Sequence, residues 1–320
     1  MDLIYMNNGR EDQGILHDYR LDLAYGEDEN NFELQIPASA HCCGAGFYLY
    51  IDGTEYGGVV DELGSDTNTE EVTYTGRTWH GLLNSKIIEP DAGADYLVLT
   101  GEANALLGAL INRLGLSDLF TASKETSGLI ISNYKMNRYI AAYDGIRKML
   151  KTVGGKLRFT FADGKVHLSA HPRGDYTQDG ELDSDQVDLK VKRHYRPVNH
   201  LICLGRGELS AREVIHLYVD ASGNISKTQT FTGMDERTEV YDNANAESLE
   251  DLENGGIDRL KEGTLADEVE VAFDEDGDQY EIQDVVGATD NITGLTATAE
   301  ITKKIVIIEN GQITISYKVG

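Results

Sequence analysis

At 320 residues the chain is longer than one ordinary domain and predicts two or three. Its 40% hydrophobic and 26% charged residues describe a globular protein and exclude wholesale disorder. The 55 acidic against 28 basic residues leave a net charge of −27, which repels phosphate backbones and anionic bilayers and argues against nucleic-acid binding through a basic patch.

No run approaches the ~18 apolar residues that cross a bilayer, so no membrane insertion is expected. Met1-Asp2-Leu3-Ile4-Tyr5 lacks the basic region and apolar core of a signal peptide, so synthesis in the cytosol is expected. The first stretch then alternates apolar and polar residues: Tyr19, Leu21, Leu23 and Tyr25; Phe32, Leu34 and Ile36; Phe47, Leu49 and Ile51. That period of two is the mark of half-buried strands, and Asp52-Gly53 supplies a hairpin turn. The pattern predicts an antiparallel meander to about Pro90, curled into a barrel. The only tryptophan, Trp79, lies in Gly76-Arg77-Thr78-Trp79-His80-Gly81-Leu82-Leu83, where the alternation stops. It is either a ligand platform or the plug that closes the barrel.

The middle changes period. Leu106, Leu107, Leu110, Ile111 and Leu114 follow Thr100 as a possible N-cap and precede Gly115, which predicts an amphipathic helix. A second helix is expected over about Arg138–Val153, stopped by Gly154-Gly155. Leu157, Phe159 and Phe161 then turn at Asp163-Gly164 into Val166 and Leu168, a hairpin, and the acidic stretch Asp175–Asp188 reads as an exposed linker.

The β pattern returns with Leu201–Leu204 and with Val214–Val219, which is expected to pair across Ser222-Gly223-Asn224. One helix is expected over about Asn245–Glu262, with Leu249, Leu252, Ile257 and Leu260 on one face despite Gly255-Gly256. Ile305–Ile308, Asn310-Gly311 and Ile313, Ile315 and Tyr317 form the strongest hairpin signal. The fold class expected is mainly β with α/β insertions. Residues 1–95 would form a barrel-like antiparallel domain, 96–190 a smaller α/β helix–hairpin domain ending in the acidic linker, and 191–320 a second barrel-like domain carrying the helix at about 245–262.

Catalytic and binding motifs mostly fail. There is no Gly-x-Ser-x-Gly, His-Glu-x-x-His or P-loop. Gly205-Arg206-Gly207 follows a strand, but Ala211–Val219 alternates like another strand, so a turn is read there and not a dinucleotide cradle. Cys42 and Cys43 are adjacent rather than spaced for metal; with His41 they read as buried thiols before a zinc site. Asp274–Asp278 resembles a calcium loop but has Gln279 and Val285 where glycine and glutamate are needed, so an acidic turn is favoured over a weak cation site. His194 and His200 flank Pro197 within a basic patch, Lys190, Lys192, Arg193 and Arg196, read as a solvated strand edge. A glycosidase needs only two suitably spaced acids, one of them raised in pKa beside an aromatic wall. Glu55 beside Tyr56, and Asp61-Glu62, come nearest, and neither stands out. No catalytic, cofactor-binding or metal residue is assigned, and no enzyme activity is expected.

Several segments, taken in order, resemble siphophage and prophage tail proteins related to baseplate (tail-tip) hub proteins. They are Asn31–Pro37, Tyr56–Val60, Tyr74–Leu83, Asn199–Gly207 and Ile315–Gly320, and the resemblance spans most of the chain. It implies a structural component: paired barrel domains joined by smaller α/β parts, with three copies forming a ring that joins the tail tube to the tip around the DNA channel. Implied partners are further copies of itself, in a homotrimer, and neighbouring tube, tape-measure and tail-tip proteins. DNA would only pass through, and acidic side chains facing it would keep it off the wall within about 8 Å at physiological salt. The location implied is the virion tail, after synthesis in the bacterial cytoplasm. Some relatives carry a hydrolase or sugar-binding domain after the hub, and none is expected here. The rival reading is a carbohydrate-active or receptor-binding tail protein, which would need a groove with exposed aromatics.

Overall fold

The computed structural model describes residues 1–177, 182–183, 188–193, 197–246, 248–264, 267–275, 280–289, 292, 294 and 296–320. The chain forms two compact units, one of Met1–Leu189 with Glu270–Gly320, the other of Lys190–Val269.

The larger unit begins with β1 (Leu3–Met6), β2 (Asp12–Leu16), β3 (Arg20–Gly26), β4 (Asn31–Pro37), β5 (Tyr48–Tyr50), β6 (Gly57–Asp66) and β7 (Glu71–Thr78). The alternating residues face one way and are buried: Leu21, Leu23 and Tyr25 on β3, Phe32, Leu34 and Ile36 on β4, Val72 and Tyr74 on β7. Register carries the stripe across strands, Leu23 opposite Phe32 and Leu34 opposite both Leu21 and Tyr74. The pairing is antiparallel throughout, but β4 pairs with β7 and β1 with β5, so the strands do not follow one another as a meander.

Short helix α1 (Trp79–Asn84) follows β7 directly, and the Thr78 hydroxyl caps it by accepting from the Gly81 amide. Beyond it come β8 (Ile87–Ile88), β9 (Leu97–Glu102), α2 (Ala103–Arg113), β10 (Phe120–Ala122), β11 (Ile130–Met136), β12 (Ile140–Ala141), α3 (Ala142–Lys151), β13 (Gly155–Ala162) and β14 (Lys165–Pro172). β13 and β14 form the expected hairpin, and β10 adds to β14 in parallel. The helices lay Leu107, Leu110 and Ile111, and Ile146, Met149 and Leu150, into one core with Phe159, Phe161 and Trp79.

Then come β15 (Asp175–Tyr176), β16 (Leu182–Asp183) and β17 (Asp188–Arg193). The smaller unit holds β18 (His200–Leu204), β19 (Val214–Val219), β20 (Ile225–Ser226), β21 (Thr238–Asp242) and α4 (Leu249–Thr264). β20 pairs with β19 across Ser222–Asn224, β19 is antiparallel to β18, and β21 runs parallel to β18 on its other side. Leu252 and Leu260 of α4 cover Leu201, Cys203, Leu217 and Val219 on one face. Gly256 permits this approach: a Cβ there would lie 2.5 Å from the Cys203 sulfur and 2.8 Å from Leu217.

The chain then adds β22 (Asp267–Glu275), β23 (Val285–Thr289), β24 (Thr296–Glu309) and β25 (Gln312–Val319). The last hairpin belongs to the first sheet. β24 pairs with β3 from Gly26–Lys303 to Arg20–Glu309, giving the order β22–β25–β24–β3–β4–β7–β6–β5–β1–β2.

Among the described residues no sheet closes as a barrel, which corrects the barrel expectation. Alternation identifies the buried face of a sheet but not what covers it. Here Met6, Tyr50 and Trp79 share a core with α2, α3 and the β13–β14 hairpin, where a barrel would pack its strands on each other. The general class, mainly β with α/β insertions, stands. No helix among the described residues is long and apolar enough to cross a membrane.

Candidate functional site

Trp79 is 0% exposed, so it is core and not a ligand platform. Its ring stacks on Phe161 with centroids 5.2 Å apart and lies 6.3 Å from Tyr48, joining sheet to hairpin. Gly57 makes room for it, since a Cβ there would meet the indole at 2.8 Å.

Beside this core lies a cleft of about 470 Å³ whose lining includes Glu55, Tyr56, His80, Tyr143, Phe159 and Lys304. Local structure positions each group. The loop carrying Glu55 is stapled to β13 by two backbone hydrogen bonds, Gly53 N–H to Phe161 O and Phe161 N–H to Thr54 O. His80 is the second residue of α1. Lys304 sits on β24 directly opposite Tyr25 on one side and Tyr317 on the other, on the face that buries Val306 and Ile308.

Lys304 is 1% exposed and donates to Glu55 Oε1 at 2.7 Å, with Tyr56 5.6 Å from the ammonium. Glu55 Oε2 is 3.4 Å from His80 Nε2. The His80 ring lies 3.7 Å from Phe159, 4.6 Å from Tyr25 and edge-on to Tyr143 at 5.2 Å. Burial, then the charges of Lys304 and Arg147, hold its pKa well below the ordinary imidazole value. It is therefore neutral at physiological pH, and the Glu55 contact is not an ion pair. Its Nδ1 is buried without a hydrogen-bond partner.

The same cleft is rimmed by Arg158 and Glu281, the exposed and half-buried ends of a second network centred on the buried Lys156 and Asp284. Asp284, 0% exposed, accepts from Lys156 Nζ at 2.7 and 2.9 Å, from the Gly174 amide and from the Glu281 amide. Lys156 also pairs with Glu281, as does Arg158 at 2.6 Å. Burial pushes the Glu281 pKa up, but the hydrogen bonds from Arg158 and Lys156 outweigh it and hold the carboxyl below its ordinary value.

The two candidate acid sites separate. Glu55 reaches the cleft, held by Lys304; Asp61 makes a bidentate pair with Arg77, whose hydrogen bond is the main reason its pKa is lowered. Glu62 reaches the Thr75 hydroxyl at 3.4 Å. A glycosidase acid must be held protonated, and the environments of Glu281 and Asp61 do the opposite. His80 and Lys304 escaped the sequence reading. The available signal for Lys304 was its place two and four residues before Val306 and Ile308, an inward position for a lysine.

The Tyr74 hydroxyl takes the Cys42 and Cys43 amides, each at 3.1 Å, and meets His41 Nδ1 at 2.6 Å. Burial raises both thiols, and among the described residues no group of three His, Cys, Asp or Glu is arranged for a metal ion. Asp276, Gly277 and Asp278 of the acidic turn, and the side chains from Lys190 to Arg196, lie outside the described residues. His200 is described and is 8% exposed on β18, packed against His216 and not standing at a solvated edge.

No protein-family model matches the sequence, and no curated protein matches it either. Solved structures do match. A 43 kDa tail protein of prophage MuSo2 from Shewanella oneidensis superposes with TM-score 0.58 at 13% identity, over 100% of this chain and 98% of that one. Prophage tail protein gp18 from Listeria monocytogenes EGD-e gives 0.53 at 13% identity, over 99% and 94%. The tail protein from Neisseria meningitidis MC58 gives 0.52 at 12% identity, over 99% and 95%. The chain has a phage tail-protein fold. Segments that carried the resemblance fall on structural units of this tail-protein fold: Asn31–Pro37 is β4, and Tyr74–Leu83 is the end of β7 running into α1.

Proposed function

We propose that this chain is a structural component of a phage or prophage tail, with three copies forming a baseplate or tail-tip hub ring that joins tube to tip around the DNA channel. The observation that carries the reading is the extent of the likeness: three tail proteins match over at least 99% of this chain and at least 94% of their own. The −27 charge supports it, since an acidic wall lets DNA pass without adhering. The cleft supports it differently. Its charged groups are bound to each other, Glu55 to Lys304 and Glu281 to Lys156 and Arg158, as in a structural joint and not in a poised acid–base site. Neighbouring tube, tape-measure and tip proteins would be the partners in the virion tail.

Cryo-electron microscopy of intact tail tips tests the proposal. Density for this chain in a threefold ring on the tail axis is expected, and finding it off the axis would refute the hub role. The carbohydrate reading rests on Tyr56, Tyr143 and Phe159 lining a cleft with Glu55. Hydrolysis of host cell-wall glycan by the purified chain, lost in Glu55→Gln, would replace the structural reading with that one.

A further inference from the structure

The smaller unit carries a chain of polar contacts that neither the fold nor the hub role uses. His200 on β18 and His216 on β19 are diagonal neighbours on the sheet face opposite α4, His216 standing opposite Ile202 and His200 opposite Tyr218. His200 Nε2 lies 2.8 Å from His216 Nδ1. On the other side of the ring, His200 Nδ1 is 2.6 Å from Glu236 Oε1 and 3.1 Å from the Thr238 hydroxyl. Glu236 Oε1 also accepts from Gln229 at 3.0 Å. Tyr218 stacks on His200 at 4.4 Å and fixes the plane of the ring, while His216 is exposed.

A carboxylate only accepts, so His200 carries its proton on Nδ1 and presents the Nε2 lone pair toward His216. An imidazole whose far nitrogen donates to an anchored carboxylate is the usual outer support of a metal-ligating histidine, fixing the tautomer and raising basicity. We propose that His200 Nε2 and His216 Nδ1 form a binding site for a divalent transition metal of the zinc, copper or nickel class, with Glu236 and Gln229 positioning His200 behind it. Metal–nitrogen bonds of about 2.0–2.1 Å in a tetrahedron need the two nitrogens roughly 3.3 Å apart. The exposed His216 has to retreat by about half an ångström and move its proton to Nε2, while the stacked His200 stays in place. No third His, Cys, Asp or Glu among the described residues completes the set, so water fills the remaining positions and the site is open. Imidazole ligands favour these metals over calcium and magnesium, which need oxygen.

The test is isothermal titration of the tag-free full chain, stripped with EDTA, with zinc chloride near pH 7.5; magnesium and calcium chloride serve as controls. One zinc per chain is expected at micromolar affinity, with no response to the controls. His216→Gln should abolish it, and its unchanged far-ultraviolet circular dichroism would confirm that the exposed substitution leaves the fold intact. Glu236→Gln keeps both imidazoles and should weaken zinc about 10–100-fold through the lost support. Absence of saturable binding at millimolar zinc overturns the proposal. So does binding that survives His216→Gln, including binding lost only in Cys42→Ser, which would place the metal at the cysteine pair.

Discussion

In the larger unit, β3 and β24 lie side by side although almost the whole chain separates them. The side chains that join such distant segments include buried charges: Lys304, paired with the half-buried Glu55, and Lys156 with Asp284. In the smaller unit, β18, β19, β21 and α4 come from one continuous stretch, and an apolar layer of Leu201, Cys203, Leu217, Leu252 and Leu260 holds them together. Distant pairing makes every segment necessary before any is stable, so the larger unit should open as a whole. A local, single-layered core should open separately and at lower cost.

Substitutions can break or sharpen that contrast. Trp79→Ala removes the aromatic shared by sheet and hairpin and should destabilise the larger unit by about 3–5 kcal/mol in urea unfolding. Amide exchange on β18 should be unchanged; if it accelerated in parallel, the units would not open independently. Asp284→Ala leaves the buried Lys156 ammonium with one carboxylate, Glu281, in place of two and strips the Gly174 and Glu281 amides of their acceptor, and should also cost about 3–5 kcal/mol. A Lys156→Met, Asp284→Leu double variant should recover only the part of that loss that comes from the buried charge, because the Gly174 and Glu281 amides still lack their acceptor. In the smaller unit Leu252→Ala should cost about 2–4 kcal/mol and accelerate exchange there alone.

A pH series separates the units more gently. His80 is neutral in the fold because burial lowers its pKa, whereas in the unfolded chain it protonates below about 6.5. The unfolded state therefore binds the extra proton, and stability falls as pH drops below about 6.5, by at most about 1.4 kcal/mol per unit from this group. Comparing unfolding midpoints of the parent and His80→Gln between pH 7 and pH 5 should show a shallower fall in the variant. The smallest effect is expected from Val240→Lys on the exposed face of the smaller sheet, within about 0.5 kcal/mol.

Local structure was largely legible. Asp163-Gly164 and Asn310-Gly311 turn their hairpins with both residues at positive φ, 51° and 70° in one, 52° and 76° in the other. Gly115 follows the Leu114 C-cap of α2 in the same region, whereas α3 runs only from Ala142 to Lys151 and ends at Thr152, two residues before Gly154. Helix α2 starts later than expected because β9 continues through Glu102, whose carboxylate, not Thr100, caps it at the Ala105 amide. Helix α1 was missed: six residues including a glycine carry no usable period. The candidate site was nearly illegible. Glu55, His80 and Lys304 converge through strand neighbours that alternation cannot specify, and His200 meets His216 only once the β18–β19 register is known.

The position of the last hairpin has a consequence for biosynthesis. The edge of β3 that receives β24 is complete early in translation, yet its partner emerges only near residue 309. At ribosomal rates of about 5–20 residues per second, that edge waits on the order of tens of seconds. The nascent chain thus carries an unpaired, apolar-faced strand past the ribosome until β24 is made, a form open to chaperones and to mispairing with a neighbouring nascent copy.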